Sequence, residues 1–242
     1  MQDSQGETPS RMKVAIFTLT RDRLLYTQHC FGMLREKAGY DFDHYIVDNG
    51  SQDGTVAWLD DNRDKFFDIT YNAKNIGLCA GDNQALQMIR ESGEQYDLIA
   101  KMDNDAEVIS DNIIAEMVAL YSQIERPMLL SPRVIGINKQ PKRSYTETAL
   151  THPIGVTNHI GGLFAWCNAD LYLKYTYPDN LPLARGDDSA FAFWVYQQGF
   201  IVGYVEDLVV NHFETSAGQA ARFPDYFDRK WKEEVSTHET AT

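Results

Sequence analysis

The alternation of short apolar runs with amphipathic stretches over the first two-thirds of the chain is the feature that most constrains its fold. Four apolar runs have the length and composition of buried strands: residues 13–18, 45–47, 68–71 and 96–102. Helical patterns separate these runs, over residues 24–37, 54–62 and 80–92. Because βαβα order brings strands side by side in the same direction, we expect an α/β domain with a mainly parallel sheet and helices on both faces. Asp53 is the expected N-cap of the second helix.

The pattern changes after about residue 124. We predict a short strand at 128–132, a long polar loop at 136–158 and a renewed apolar run at 160–166. A helix over 188–198 and a strand over 201–205 follow. The last 25 or so residues are charged and aromatic, which indicates a docked helix.

Two aspartates, Asp103 and Asp105, follow directly after the apolar run 96–102. In extended backbone, side chains two residues apart point the same way, so the two carboxylates are expected to share a face. Two close carboxylates repel each other unless a divalent cation, an arginine or a helix N-terminus lies near them. The alternative is that Asp105 or Ser110 caps a helix over 111–117, and these residues alone do not decide between the two.

Polar segments follow four of the predicted strands, at the edge where ligands bind in parallel sheets. They are residues 20–23, 48–51, 72–77 and 103–105. Asp48, at the end of the second strand, suits a ribose or a base edge, although a turn aspartate before Asn-Gly explains it as well. The Gly- and Asn-rich stretch 75–83 could hold an anion or serve only as a capping turn. It matches neither a Walker loop nor GxGxxG.

Two further aspartates open the helix near residue 188. The helix dipole favours both Asp187 and Asp188 there, and a structural cap accounts for only one of them. His212 follows the apolar run 208–210. A packed histidine is one explanation, and a metal ligand is the other if a cation lies near the aspartates 103 and 105.

Composition narrows the class of protein. The formal charge of −13 argues against a general grip on nucleic-acid phosphates, and an acidic protein with an anionic substrate needs a metal to bridge the charges. Three scattered cysteines indicate neither a disulfide framework nor a zinc site. No apolar stretch reaches the length of about 20 residues that spans a bilayer, and residues 1–11 lack a signal-peptide core, so a cytoplasmic protein is expected.

The order of these motifs resembles the inverting glycosyltransferases of family 2, which have the GT-A fold. The matching segments are "TLTRDR", "VDNGSQDGT", "NIGLCAGDNQAL", "DND", "IGGLFAW", "GDDSAFAFWVYQQGF" and "VVNH". They span residues 13–213 and are most similar to the rhamnosyl- and galactofuranosyltransferase branch. Asp22 stands where that pattern usually has Asn, and the late pair is Asp-Asp rather than Glu-Asp. These departures concern donor specificity more than the reaction class.

The resemblance implies a metal-dependent hexosyl- or deoxyhexosyltransferase that moves a sugar from a nucleotide-diphosphate donor to a hydroxyl with inversion. Asp48 would hold the base or ribose, in a donor-binding set of Thr18, Arg21, Asp48, Asn75, Gly77, Asn83, Asp103, Asn104, Gly161 and Gly162. Asp105 and His212 would hold Mn²⁺ or Mg²⁺, with Asp103 beside them. Asp188, or else Asp187, would deprotonate the acceptor.

We expect four parts along the chain. The resemblance implies a nucleotide-sugar-binding half over residues 13–124 and an acceptor and catalytic half over 125–213, and the flanking composition predicts a disordered tail over 1–12 and a helical extension over 214–242. The acceptor could be a glycan, a lipid-linked molecule, a protein or a modified nucleic acid, and the oligomeric state is open. Two other functions stay as alternatives. One is a sugar-phosphate nucleotidyltransferase, although such enzymes usually have a Gly-rich loop after the first strand and "TLTRDRL" contains no glycine. The other is a non-catalytic nucleotide-sugar-binding protein.

Overall fold

The first half of the chain forms the expected parallel sheet. The computed structural model describes residues 11–137, 142–148, 150–179, 186–214 and 216–239. Its first elements are β1 (Val14–Thr20), α1 (Leu24–Lys37), β2 (Asp43–Asp48), α2 (Thr55–Asp61), β3 (Asp68–Tyr71), α3 (Leu78–Glu91) and β4 (Leu98–Met102). The strands lie in the order β3-β2-β1-β4, all parallel. The βαβα prediction for this half is therefore confirmed.

The second half extends the same sheet with strands of both directions. Its elements are β5 (Ala106–Val108), α4 (Ile113–Tyr121), β6 (Met128–Ile135), β7 (Tyr145–Glu147), β8 (Ile154–Thr157), β9 (Phe164–Asn168), α5 (Ala169–Tyr172), α6 (Asp187–Gln197), β10 (Ile201–His212), α7 (Ser216–Arg222) and α8 (Pro224–Glu239). The sheet continues β4-β9-β6-β10-β8-β7, and β5 pairs with β10. Strand β9 runs antiparallel to both of its neighbours, so the complete sheet is mixed.

Two predictions were wrong: the loop at 136–158 and the extended backbone at 103–105. The segment 136–158 contains two strands, because Ile154 and Val156 turn inward and β8 pairs with β10. Residues 138–141 and 149 of that prediction lie outside the described residues. Residues 103–105 are not extended, since β4 ends at Met102 and the chain turns to begin β5. The backbone N–H of Ala106 donates to the Asp103 carbonyl across that turn, at 3.1 Å.

The helix starts also differ in detail. Helix α2 begins at Thr55 with Gly54 in the cap position at φ 97°, a left-handed conformation that favours glycine. The Asp53 carboxylate still accepts the Thr55 N–H, at 3.1 Å. Helix α4 follows Asn112, also left-handed at φ 54°, and has no side-chain cap, so neither alternative cap for it is present.

The helices divide the core into two main layers, one on each face of the sheet. Helices α1 and α4 cover one face, with Val14, Ile16 and Leu34 buried between them and the strands. Helices α3 and α6 cover the other, where Phe191 stacks on Tyr172 with ring centroids 4.3 Å apart. The polar turn after β4 lies at the edge where both layers end.

The three cysteines form no disulfide bond. All three cysteines are buried and free. Within the described ranges, no helix is both long enough and apolar enough to cross a bilayer.

Candidate active site

A cavity of about 260 Å³ lies at the carboxyl ends of the central strands. Its walls are Asp103, Ser131, Pro132, Val134, Ile137, Ile160, Gly161, Gly162, Leu163, Asp188, Tyr204 and His212. Five of these residues belong to the site predicted from the sequence: Asp103, Gly161, Gly162, Asp188 and His212. The fold therefore brings together residues that are more than 100 positions apart in the chain.

Asp188, in the first turn of α6, is a carboxylate fixed at the wall of this cavity. One of its oxygens accepts the Gly162 N–H at 3.0 Å and the other accepts the Ser189 N–H at 2.7 Å. A Cβ on residue 162 would come within 2.9 Å of the Asp188 Cβ, so only glycine allows this close approach. The side chain is partly exposed and can receive a proton from a bound molecule.

Asp187 has a different environment from its neighbour. It is only 5% exposed, and its carboxylate forms an ion pair with Lys101 of β4. The Lys101 ammonium also lies 2.8 Å from the Asp82 carboxylate of α3. Asp187 is absent from the wall of the 260 Å³ cavity. Of the two adjacent aspartates, only Asp188 therefore faces the space where a substrate could bind.

The pKa values of the three ionisable groups in this buried cluster are shifted differently. Burial opposes the charge on Lys101, but the two carboxylates outweigh it and raise its pKa well above the usual value. Burial also opposes ionisation of Asp187, where Lys101 outweighs it and lowers the pKa. For Asp82 burial dominates and raises the pKa to about 7. Its second oxygen is buried without a hydrogen-bond partner in the described structure.

The acidic turn after β4 is neutralised by an arginine. The Asp105 carboxylate accepts Arg23 Nη1 at 2.8 Å and Gln219 Nε2 at 3.1 Å, both on the same oxygen. Burial opposes ionisation of Asp105, yet Arg23 and His212 outweigh it, so its pKa is lowered. Burial and the charge of Asp105 raise the pKa of Asp103 well above the usual range. Asn104 lies inside the turn, where its Oδ1 accepts Arg23 Nη2 at 2.7 Å.

His212 lies beside the same turn. Its Nδ1 lies 3.0 Å from the Glu214 carbonyl oxygen, and its Nε2 lies 3.8 Å from the Asp105 oxygen that also accepts Arg23. A carbonyl that fixes one imidazole nitrogen leaves the other available as a ligand. Among the described residues, no three His, Cys, Asp or Glu side chains converge to hold a metal. Asp105 and His212 are two side chains of the kind that bind divalent cations, and a cation there would need its remaining ligands from a bound molecule.

Asp48 holds the loop after β2 in shape. It is fully buried, and its carboxylate accepts hydrogen bonds from Thr20 Oγ1, from Ser51 Oγ and from the N–H groups of Gly50 and Ser51. This is the turn-aspartate arrangement that the sequence left open. Thr18 is also fully buried, with its hydroxyl 3.1 Å from His44 Nε2 inside the sheet layer. It therefore has no access to the cavity edge.

The stretch 75–83 forms the N-terminal turn of α3. Gly77 has φ 90°, and its N–H donates to Asn75 Oδ1 at 3.0 Å. Asn83 uses both ends of its amide on the Tyr177 backbone, at 2.9 and 2.8 Å, so its role is to hold the chain after α5. Arg21 and Asn75 line a smaller cavity of about 80 Å³.

The C-terminal helices lie against this edge of the sheet. The Tyr226 ring lies 4.9 Å from the guanidinium carbon of Arg23 and 5.9 Å from that of Arg21. Arg229 binds the Asp22 carboxylate at 2.5 Å. Asp22 and Arg23 both have left-handed backbone conformations, at φ 52° and 59°, which turn them toward these partners. The extension after residue 213 is thus part of the site.

Four residues of this site were not predicted from the sequence: Lys101, Asp82, Arg23 and Gln219. Lys101 carried a usable signal, because a lysine inside an otherwise apolar strand requires a buried partner. Asp82, which lies in the same helix as Leu86 and Ile89, carried the matching signal. Nothing local marks Gln219 as a partner of Asp105.

The mixed sheet, with an acidic turn after β4 and an acid at the start of α6, has the GT-A architecture of nucleotide-sugar-dependent enzymes. The family model described as Glycosyl transferase family 2 matches residues 15–174, more than half of the chain. The chain therefore belongs to this family. A comparison with curated protein sequences gives no match.

Solved structures with the same fold include three glycosyltransferases. S. aureus TarS 1–349 has a TM-score of 0.64 at 15% identity over 83% of this chain and 60% of its own. The mannosyltransferase PcManGT from Pyrobaculum calidifontis, in complex with GDP-Man and Mn²⁺, has a TM-score of 0.63 at 15% identity over 88% of this chain and 60% of its own. GalNAc-T7 with UDP, GalNAc and Mn²⁺ has a TM-score of 0.64 at 13% identity over 85% of this chain and 44% of its own. The chain thus spans about 60% or less of these structures.

Proposed function

We propose that this chain is a metal-dependent glycosyltransferase that moves a sugar from a nucleotide-diphosphate donor to an acceptor hydroxyl with inversion. The observation that carries the proposal is the position of Asp188, in one cavity wall with Asp103 and His212. A carboxylate that accepts protons thus lies beside the residues suited to a metal and a diphosphate. The family match and the GT-A fold support the same reaction class.

In this proposal Asp188 takes the proton of the acceptor hydroxyl. The deprotonated oxygen then attacks the anomeric carbon from the face opposite the diphosphate, which leaves with the nucleotide. Gly162 fixes the base through its N–H and allows the acceptor to approach closely. Asp187 stays paired with Lys101 and does not touch the reacting atoms.

Asp105 and His212 would hold Mn²⁺ or Mg²⁺, with Asp103 beside them. When bound, the cation neutralises the diphosphate and acts as a Lewis acid. Arg23 already binds the Asp105 oxygen nearest His212, so the cation and the guanidinium would compete for or share that carboxylate. The complexes of the mannosyltransferase and of GalNAc-T7 with Mn²⁺ support the choice of metal.

The donor nucleotide would bind in residues 13–124, along the smaller cavity lined by Arg21 and Asn75. Gly77 precedes Leu78, the first residue of α3 and part of that cavity wall, and Asp48 acts indirectly by holding the 48–51 loop. Thr18, Asn83 and Asn104 are engaged elsewhere and are not part of the proposed contacts. Residues 125–213 would bind the acceptor, and a rhamnosyl- or galactofuranosyl-type donor remains part of the proposal.

A thermal-shift panel tests the function directly. Purified protein is heated with UDP, GDP, dTDP and CDP and with UDP-GlcNAc, GDP-mannose, dTDP-rhamnose and UDP-galactofuranose, each with Mn²⁺ or with EDTA. Because a ligand that binds only the native state raises the melting temperature, one base is expected to stand out, and only with Mn²⁺. Hydrolysis of the selected nucleotide sugar then separates an enzyme from a binding protein. No shift with any nucleotide would contradict the proposal.

A further inference from the structure

Lys101 joins three elements of the fold in a layer that is otherwise apolar. It is in β4, and its ammonium pairs with Asp82 of α3 and with Asp187, the first residue of α6. Lys101 is 3% exposed and Asp82 is fully buried. The Tyr177 ring, 5.9 Å away, lies beside the same ammonium. This is a closed charge cluster beneath the site.

Such a cluster contributes little to stability compared with apolar residues of the same size. Removing three charged groups from water costs about as much as their attraction returns, so a buried ion pair is weak evidence for a stabilising role. What it does supply is geometry, because an ammonium between two carboxylates fixes the position of both. Here one of those carboxylates is next in sequence to the proposed base.

The Lys101–Asp187 ion pair, which anchors the start of α6, determines the direction in which Asp188 points. Adjacent residues of an α-helix point about 100° apart around its axis, because one turn contains 3.6 residues. With Asp187 held inward against Lys101, Asp188 must point to the side, toward Gly162 and the cavity. Gly186, just before the helix, has φ 96° and cannot fix this rotation through a side chain. The ion pair between Lys101 and Asp187 therefore holds the first turn together with the hydrogen bond from the Gly162 N–H to Asp188.

Lys101 does not reach a substrate itself. It is not in the wall of the 260 Å³ cavity, and the void that it shares with Asp188 measures only about 10 Å³. That volume is at the lower limit for one water molecule. Its effect on the position of Asp188 must therefore pass through Asp187.

We propose that Lys101 is a positioning residue for the base: it holds Asp187, and so aims Asp188, while Asp82 keeps Lys101 in place. The inference rests on the proposed function, because it assigns Asp188 the transfer of the proton. It also connects the donor-side helix α3 to the acceptor-side helix α6.

Two variants break this anchor. Asp187→Ala leaves Lys101 paired with Asp82. Lys101→Met with Asp82→Asn removes the ammonium and the charge of Asp82, and leaves Asp187 in place without its ion-pair partner. Lys13→Met is the matched control, since Lys13 forms ion pairs with Asp43 and Glu94 at the protein surface, away from the site.

The measurements are donor affinity by calorimetry and kcat, with the nucleotide sugar selected in the thermal-shift panel and Mn²⁺. A base displaced by about 1 Å loses on the order of 100-fold in rate, so both anchor variants should lose about that much in kcat at unchanged donor Kd. The variant that combines Asp187→Ala with Lys101→Met and Asp82→Asn should lose no more kcat than either anchor variant alone, because all three substitutions act through one contact. The Lys13→Met control should match the wild type.

Wild-type kcat in either folded anchor variant would overturn the proposal, as would losses that multiply in the combined variant. If the wild type itself binds and hydrolyses no nucleotide sugar, the proposed function fails instead. Hydrogen exchange at the first turn of α6 then tests the anchor alone. Faster exchange in the Lys101→Met, Asp82→Asn protein supports it, and unchanged protection overturns it.

Discussion

Replacing Asp188 by Asn removes the basic oxygen while retaining the shape of the side chain. In the native structure the two carboxylate oxygens accept the Gly162 N–H and the Ser189 N–H. The amide of Asp188→Asn keeps one acceptor, but its NH₂ group must face the other N–H donor. One hydrogen bond is lost, which costs about 1 kcal/mol of stability. Domains are typically stable by about 5–15 kcal/mol, so the variant should remain folded.

The expected loss of activity is much larger than this. A positioned general base contributes about 100- to 10,000-fold to the rate. Since each tenfold change corresponds to 1.36 kcal/mol, the barrier should rise by about 3–5 kcal/mol. Asp188 makes no contact with Asp105 or His212 among the described hydrogen bonds and ion pairs, so donor and metal binding should be nearly unchanged. The signature is a loss in kcat without a loss in donor affinity.

Asp187→Asn is the matched comparison. Its amide oxygen can still accept a hydrogen bond from Lys101, so the anchor is weakened but not broken, and the rate loss should be milder. The assay pairs calorimetry of the nucleoside diphosphate with Mn²⁺ and product formation, or donor hydrolysis until an acceptor is known. Asp188→Asn at the wild-type rate would refute its role as the base. A severe defect in Asp187→Asn alone would move that role one residue upstream.

Three further outcomes follow from the site. Asp105→Ala should abolish the Mn²⁺-dependent thermal shift given by a nucleoside diphosphate. His212→Ala should only weaken this shift, because water can replace one ligand. Donor binding and turnover that are unchanged after chelation would contradict the metal assignment. Burial raises the pKa of Asp82 from 3.8 to about 7 in the folded protein, so the folded protein binds this proton more tightly than the unfolded chain does, and the free energy of unfolding falls as pH rises from about 4 through 7. Asp82→Asn should remove this fall, which is at most about 4 kcal/mol at pH 8. Melting temperatures that change equally between pH 5 and pH 8 in the variant and in the wild type would contradict this prediction. Residues 142–148, close in sequence to the cavity residue Ile137, should gain protection from hydrogen exchange when donor binds, and equal protection in both states would contradict this.

The parallel half of the fold could be predicted because its signals are local. Each strand there is a short apolar run, each helix has its own periodicity, and βαβ connections fix the strand direction. The antiparallel strands could not be placed in this way. Strand β9 lies between β4 and β6, and β8 pairs with β10, so their positions depend on partners far away in the chain. The residues of β8 look like part of a polar loop until those partners are known.

The donor-side residues show a second limit. Asp48, Gly77 and Asn75 lie where strand ends predict them, but the direction of each side chain depends on contacts that the sequence does not specify. Asn83 binds a backbone segment 94 positions away. Thr18 is turned toward His44 in the next strand, although it precedes a polar loop. Residue type and position in a motif therefore located the edge of the sheet more reliably than the contacts of each residue.

The two aspartates at the start of α6 show what information would have been needed. As neighbours at one helix N-terminus they experience the same dipole, and no local property distinguishes the base from the anchor. The distinction comes from Lys101, 86 positions upstream, which binds one of them and leaves the other at the cavity wall. The sequence did contain the requirement, since a lysine in the run 96–102 must find carboxylates when that strand is buried. It did not contain the partners, because helix α3 and helix α6 meet at Lys101 only once the sheet has formed. The chemistry assigned to Asp188 thus depends on a charge balance that is created by the tertiary fold.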